Sequence, residues 1–280
     1  MANRDVFDWW NETARYWEKH RAATDRMFAP VAAALVEDAG IVRGEAVLDV
    51  ATGTGEPGLT IAKLVGAEGR LVGVDLIPGM VESAQREAQR RGLSNTDFRT
   101  ASGQDLPFAE ATFDAVVCRF GIMFFPSPLD GIREMLRVLK PGGRLAVAVW
   151  SHARNNPFHW LLADIVDRYV EPTPSAPDDP NAFRFAECGK LLQVAREAGV
   201  ADASERLLEF TIEASIGLEE FWTVRSEISD KLRNQLARLS RGDVDAIRRE
   251  FLDALRPYAG AGSIRLPGEA LIVSGRRARS

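Results

Sequence analysis

The stretch VLDVATGTGEPG, Val47 to Gly58, joins a short apolar run to the start of a helical pattern and carries Gly53-x-Gly55-x-x-Gly58. Glycines at this spacing between a strand and a helix let the backbone turn sharply and approach a ligand closely. Taken alone, the pattern suits a dinucleotide fold or a tight turn with no ligand. Asp49, four residues before Gly53, separates the possible ligands. A carboxylate there repels the phosphates that a dinucleotide would place on the helix N-terminus. S-adenosylmethionine (SAM) has no phosphate and carries an ammonium and a sulfonium, which a carboxylate attracts directly or through water. Asp75 lies twenty residues after Gly55, at the end of the next apolar run. It can accept from both ribose hydroxyls of NAD or SAM, or it can cap the helix that opens at Pro78.

Outward from this loop the chain alternates strands and helices. Strands are expected at Glu45–Val50, Leu71–Asp75, Thr96–Ala101, Phe113–Arg119, Arg144–Trp150, Glu205–Ala214 and Ser263–Arg276. Helices are expected at Thr54–Val65, with Pro57 in its first turn, at Pro78–Arg91, closed by Gly92, and near Pro128–Leu139, stopped by Pro141-Gly142-Gly143. The fold class is α/β: a doubly wound, mostly parallel, seven-stranded Rossmann-like sheet with helical N-terminal and inserted cover segments. Residues 1–39 read as an N-terminal helical cover and 40–150 as the ligand-binding core. Residues 151–186, with Pro157, Pro172, Pro174, Pro177 and Pro180, break the rhythm as a first insertion, and 187–216 continue the core. Residues 217–260 form a helical insertion, and 261–280 the last strand and tail.

Four motifs in order, DVATGTGEPG, GVDLIPGMVESA, ASGQDLPFAEATFDAVVCRFGIMFF and REMLRVLKPGGRL, resemble class I SAM-dependent methyltransferases of the type-11, ubiquinone/menaquinone-biosynthesis-like group. The resemblance is close over about residues 40–150. It implies that Asp49, Gly53 and Gly55, with Ala51 in the same loop, line the methionine end of SAM, and that Asp75 holds the ribose. Leu76 and Met80 would flank the adenine, Gln104 and Asp105 would meet its edge, and Arg119-Phe120 would pass the methionine part. The implied cofactor is SAM, with S-adenosylhomocysteine (SAH) as product and no metal.

Methyl transfer from a sulfonium is an in-line displacement from an activated leaving group, so alignment and water exclusion come before acid–base help. A hydroxyl acceptor of high pKa would gain from a base. His152, just after the fifth strand, is the candidate catalytic residue; a solvated loop histidine is the alternative, and His159 and His20 are weaker candidates. Trp9, Trp10, Trp17, Phe158, Trp160, Phe183, Phe185, Phe221 and Trp222 either roof a site for an apolar or aromatic acceptor or dock the cover on the sheet.

The remaining signals bound the partner and compartment. The 280 residues are 46% hydrophobic and 27% charged with net charge −5, ordinary for a globular chain and without the basic face that nucleic acid requires. Two cysteines make no disulfide framework or metal spacing, and Cys118 ends an apolar run. The charged, aromatic start MANRDVFDWWNETARYW is unlike a signal peptide, and no apolar run spans a membrane, so the chain is expected in the cytoplasm. The partner expected is a small-molecule methyl acceptor, with neither nucleic acid nor membrane; O-methylation is favoured, and C- or N-methylation also fits. A macromolecule methyltransferase, a SAM-binding scaffold without catalysis and an NAD(P)-dependent oxidoreductase are the competing readings.

Overall fold

Strand β1 (Ala46–Val50) pairs in parallel with β2 (Arg70–Asp75) on one side and β4 (Phe113–Arg119) on the other. Strand β3 (Thr96–Thr100) extends the sheet beyond β2, and β5 (Leu139–Trp150) beyond β4, both in parallel. The late strands β6 (Ala201–Ala214) and β8 (Ser263–Arg276) complete the order β3-β2-β1-β4-β5-β8-β6, with β8 antiparallel to both neighbours. This is the expected seven-stranded, mostly parallel sheet; a two-residue strand β7 (Ala259–Gly260) pairs with β8 off that order as an eighth, short strand. The computed structural model describes residues 2–171, 178–260 and 262–279, with side chains from Phe7 onward. Pro172, Pro174 and Pro177 lie outside the described residues.

The sheet is buried on both faces, which is why its strands read as continuous apolar runs rather than alternating ones. Val47, Leu71, Ala115, Val117, Ala146 and Ala148 face α3 (Ala29–Asp38), α4 (Gly58–Val65) and α5 (Pro78–Arg90). Leu48, Val50, Val74, Val116, Cys118 and Val147 share the opposite core with α6 (Pro128–Val138), α7 (Pro157–Val166) and α8 (Lys190–Ala198). The insertion helices α9 (Leu218–Ile228) and α11 (Arg241–Leu255) join that second core through Phe221, Val224, Ile247 and Phe251. Between them lies α10 (Asp230–Leu236).

Several boundaries differ from the sequence reading for physical reasons. Helix α4 begins at Gly58 rather than Thr54, because residues 53–57 are drawn into the loop that Asp49 holds. Strand β5 begins at Leu139, before Pro-Gly-Gly: Leu139 pairs with Phe113, and Gly142, at φ +76°, lies within the irregular register that follows. Strand β6 starts at Ala201, where the polar ADASE looks like a turn, since pairing with β8 outweighs local propensity. The segment 1–39 is divided: α1 (Ala2–Lys19) and α2 (Arg21–Met27) cover the sheet's C-terminal edge, whereas Val31 and Leu35 of α3 are fully buried against the sheet.

The chain runs outward through β2 and β3, then crosses back to β4 beside β1. The strand order therefore reverses between β1 and β4, and their C-terminal ends bound a crevice where ligands of open α/β sheets collect. Ala51 (φ +58°) follows β1 and Phe120 (φ +59°) follows β4, both in the left-handed region that non-glycine residues rarely adopt. The two turns touch at Gly121, where an added Cβ would lie 2.4 Å from the Ala51 Cβ and 3.0 Å from the Cys118 sulfur. Gly121→Ala should therefore overpack the crevice and cost roughly 1–3 kcal/mol. Urea denaturation will show this as a lowered midpoint, with exposed Gly242→Ala in α11 as the control that does not lower it.

Candidate active site

The glycine loop takes its shape from one carboxylate. Asp49 is fully buried; its Oδ2 accepts from the Thr52 hydroxyl at 2.7 Å and from the Gly58 amide at 3.0 Å. Gly58 allows that approach, since a Cβ there would stand 2.9 Å from the same oxygen. The other oxygen, Oδ1, is buried without a hydrogen-bond partner. Burial pushes the Asp49 carboxyl up to about 7, against the opposing influence of Thr52, Arg119 and the Gly58 amide. Asp75, ending β2, accepts from the Gly53 amide at 2.8 Å and from the Ile77 amide at 3.0 Å, so it fastens the loop and the turn that leads into α5, whose own N-terminus has no side-chain cap. Each of its oxygens retains acceptor capacity. Burial raises its carboxyl to about 6, opposed by the amides of Ile77, Gly53 and Leu76.

Above these strand ends lies a cavity of about 370 Å³, within the range of small-molecule sites. Ala51, Gly53, Asp75, Leu76, Met80, Gln104 and Arg119 line it, as does Phe120. Asp49 and Gly55 lie behind the loop and are not lining residues, and Asp105 is exposed outside the cavity. Arg119 stands at the end of β4 with Nη1 buried and unpartnered. Burial lowers its pKa, while Asp25, Asp49 and Glu56 act in the opposite direction. The near half of the cavity thus presents an acceptor pair at Asp75, an apolar shelf at Leu76, Ile77 and Met80, and the guanidinium-bearing Arg119. This combination suits a ligand with a vicinal diol, a flat base and an amino-acid end.

The far half is aromatic and comes from the cover and the strand ends together. Trp9 and Trp10 of α1 stack at 5.8 Å, and Trp10 meets Phe124 edge-on at 5.1 Å. Trp150, at the end of β5, stacks on Phe120 with centroids 4.1 Å apart and planes 5° from parallel. Phe28 and Phe158 close the wall in a T-shaped pair at 5.5 Å. Trp160, Phe183, Phe185, Phe221 and Trp222 are not lining residues and pack the cover against the core.

The histidines divide in an order the sequence did not suggest. His152 is exposed and outside the cavity; its carbonyl, not its ring, is engaged, accepting from the Asn156 side chain. His159, one turn into α7, lines the cavity with Nε2 sealed and unpartnered, its ring edge-on to Trp150 at 4.5 Å. Burial and the neighbouring Arg225 hold His159 well below the ordinary imidazole range, so it is neutral near pH 7. His20 meets Glu227 at 2.6 Å and ties α2 to α9. Arg225 itself, which sequence reasoning passed over, projects into the cavity from α9. Its signal was present: Phe221, Val224, Arg225 and Ile228 form one buried helical stripe, and a charge on such a stripe is an anomaly. Among the described residues no cluster of three His, Cys, Asp or Glu could hold a metal.

The doubly wound sheet, with its glycine loop at the switch point and an acid ending the second strand, is the Rossmann-like fold of SAM-dependent methyltransferases. Residues 32–165 match the model of the ubiE/COQ5 methyltransferase family, the group to which the motifs pointed. The ubiquinone/menaquinone biosynthesis C-methyltransferase UbiE of Azotobacter vinelandii is 37% identical over 135 residues, covering 48% of this chain and 52% of that protein. The chain thus matches about half the length of such relatives. Phosphoethanolamine N-methyltransferase 2 of Haemonchus contortus, solved with S-adenosyl-L-methionine, superposes with a TM-score of 0.60 at 15% identity, covering 98% of this chain and 60% of that one. A SAM-dependent methyltransferase from Aquifex aeolicus gives 0.51 at 22% identity, covering 70% and 91%. At these identities the structural likeness is one of fold. Among the described residues, no helix is long and apolar enough to cross a membrane.

The buried loop acid makes stability depend on pH in a set direction. The folded pKa of Asp49 is raised above its ordinary 3.8, so the folded state binds the extra proton and loses stability as pH rises. Between pH 3.8 and about 7, wild type should lose stability relative to Asp49→Asn, by an amount on the order of a few kcal/mol. Below that window the difference should be constant. Paired urea titrations across the window will measure it.

Proposed function

We propose that the chain binds SAM in the near half of this cavity and transfers its methyl group to a small apolar or aromatic acceptor held in the far half. The observation that carries the reading is the continuity of the cavity: one space runs from the glycine loop and Asp75 to the Trp150–Phe120 stack and His159. In this reading Asp75 accepts from the ribose hydroxyls, Leu76 and Met80 flank the adenine, and Gln104 meets its edge. Asp105, exposed outside the cavity, does not share that role. The Gly53 turn and Arg119 receive the amino-acid end, the guanidinium answering its carboxylate. Asp49 acts from behind the loop, as a counter-charge within reach of the positive groups rather than a contact.

Bound SAM supplies an activated methyl group. The protein's own contribution is to orient the acceptor against the aromatic wall and to keep water out. Neutral His159 lines the acceptor half with its Nε2 buried and unpartnered; a turn of the ring toward the cavity would bring that nitrogen to an acceptor hydroxyl, whose proton it can take as the new bond to carbon forms. His159 thus displaces His152 as the candidate base. A base favours an oxygen acceptor in this reading; a carbon acceptor would need to be an already deprotonated, enolate- or phenolate-type centre, and a nitrogen acceptor a neutral amine with its lone pair free.

Calorimetry with SAM, SAH and NAD tests the cofactor. SAM and SAH should bind and NAD should not; NAD binding without SAH binding would sink the reading, and SAH binding without turnover on any acceptor would leave a SAM-binding scaffold. Asp75→Ala should weaken SAM about tenfold or more, because two ligand hydroxyls lose a charged partner worth roughly 1.5–3 kcal/mol. With a turned-over hydroxyl acceptor, His159→Ala should lower kcat by roughly 10²–10⁴ at unchanged SAM affinity. His152→Ala should leave both constants at the wild-type value, and the reverse pattern would return the role to His152.

A further inference from the structure

Arg225 is a charged side chain in a place that charges avoid. It is 3% exposed, at the centre of the apolar stripe of α9, with its guanidinium 4.0 Å over the Phe158 ring. Among the described residues it has no ion-pair partner and makes no hydrogen bond, and its Nε is buried and unsatisfied. The acid two residues along, Glu227, is already taken by Lys19 and His20. A buried guanidinium without a counter-charge is strongly disfavoured, because neither water nor an anion compensates its desolvation. The remaining place for an anion is the cavity that Arg225 lines.

The two cavity arginines are not equivalent. Arg119 sits on β4 beside the glycine loop, where Asp25, Asp49 and Glu56 act on it through space against the effect of its burial. Arg225 sits on the cover, beside His159 and the aromatic wall, with no acid acting on it. A guanidinium presents parallel N–H donors that match a carboxylate. The surrounding Phe28, Trp150 and Phe158 rings match an apolar, flat body.

Resting on the methyltransferase reading, we propose that Arg225 is the acceptor's anchor, and that the acceptor is an aromatic or similarly apolar carboxylic acid held as its carboxylate. Charge on the acceptor, rather than apolar fit alone, then sets which molecules enter the far half of the cavity.

The test uses the whole chain saturated with SAH, 2-naphthoate as probe and 2-naphthamide as its neutral counterpart, measured by calorimetry. Naphthoate should bind at least tenfold tighter than naphthamide. Arg225→Met, which keeps the stem over Phe158, should weaken naphthoate about 10–100-fold, leave naphthamide and SAH unchanged, and not lower the melting temperature. Should the Met variant fail to fold, Arg225→Lys keeps the charge without the fork and should weaken naphthoate severalfold. Equal binding of naphthoate and naphthamide to wild type overturns the proposal while the methyltransferase reading stands. So does naphthoate binding undiminished in both variants. A loss of SAH affinity in Arg225→Met also overturns it, by assigning the arginine to the amino-acid end of the nucleoside. Failure of the wild type to bind SAH overturns the methyltransferase reading and this proposal together.

Discussion

A single carboxylate oxygen organises the site. Asp49 Oδ2 draws the Thr52 hydroxyl and the Gly58 amide to one point, which sets both the curl of the glycine loop and the first residue of α4. The loop then offers the Gly53 amide to Asp75, so the ends of β1 and β2 are joined through it. Because Asp49 is wholly buried, its preference for ionisation is weak, and the charge state of the loop is open to influence from whatever occupies the cavity. Binding at the site and the fold around it therefore share one hinge in chemistry as well as in geometry.

The first two helices, α1 and α2, are tied to the rest by charge, whereas the later cover helices join the core by burial. Glu87 of α5 receives Arg21, Arg90 and Arg91, and Arg91 also reaches Glu56 of the loop and Asp25 of α2. The hydrogen bond from Arg90 leads in holding the Glu87 carboxyl at about 2. Lys19 and His20 reach Glu227 on α9, linking the N-terminal helices to the later insertion. Isolated surface pairs contribute little, but a shared, largely buried acid such as Glu87 places several chain segments in one register. The apolar contribution of α1 is small by comparison: its contact with Ile77 and Met80 forms a separate satellite cluster.

What the sequence disclosed follows from where the information is local. The glycine spacing, the acid ending β2 and the two-sided apolar strands are local patterns, and the crevice at the switch point follows from strand order. Leu76, Met80, Gln104 and Arg119 line the cavity, while Asp49 and Gly55 stand one layer behind it and Asp105 turns outward. The far half was not legible in the same way. His152 follows β5 in the chain, but the peptide after it turns its ring to solvent, and α7 then brings His159 inward. Trp150 reads as the last residue of a strand, yet its ring forms part of the wall. Arg225 lies far along the chain, in a helix that meets the sheet only through tertiary packing; its misfit on an apolar stripe was visible, its destination was not.

The wall of the cavity has an optical consequence. Of the six tryptophans in the chain, Trp9, Trp10, Trp17 and Trp150 border this one space, three of them from α1 and one from the sheet itself. Trp17 holds its indole N–H there without a partner. Four of the six indoles therefore border the space that a bound molecule would enter. A cation or an aromatic plane entering the cavity alters the polarity and stacking of several indoles together. The protein thus carries its own chromophores at the point of recognition, and occupancy can be followed in the unlabelled, unmodified chain.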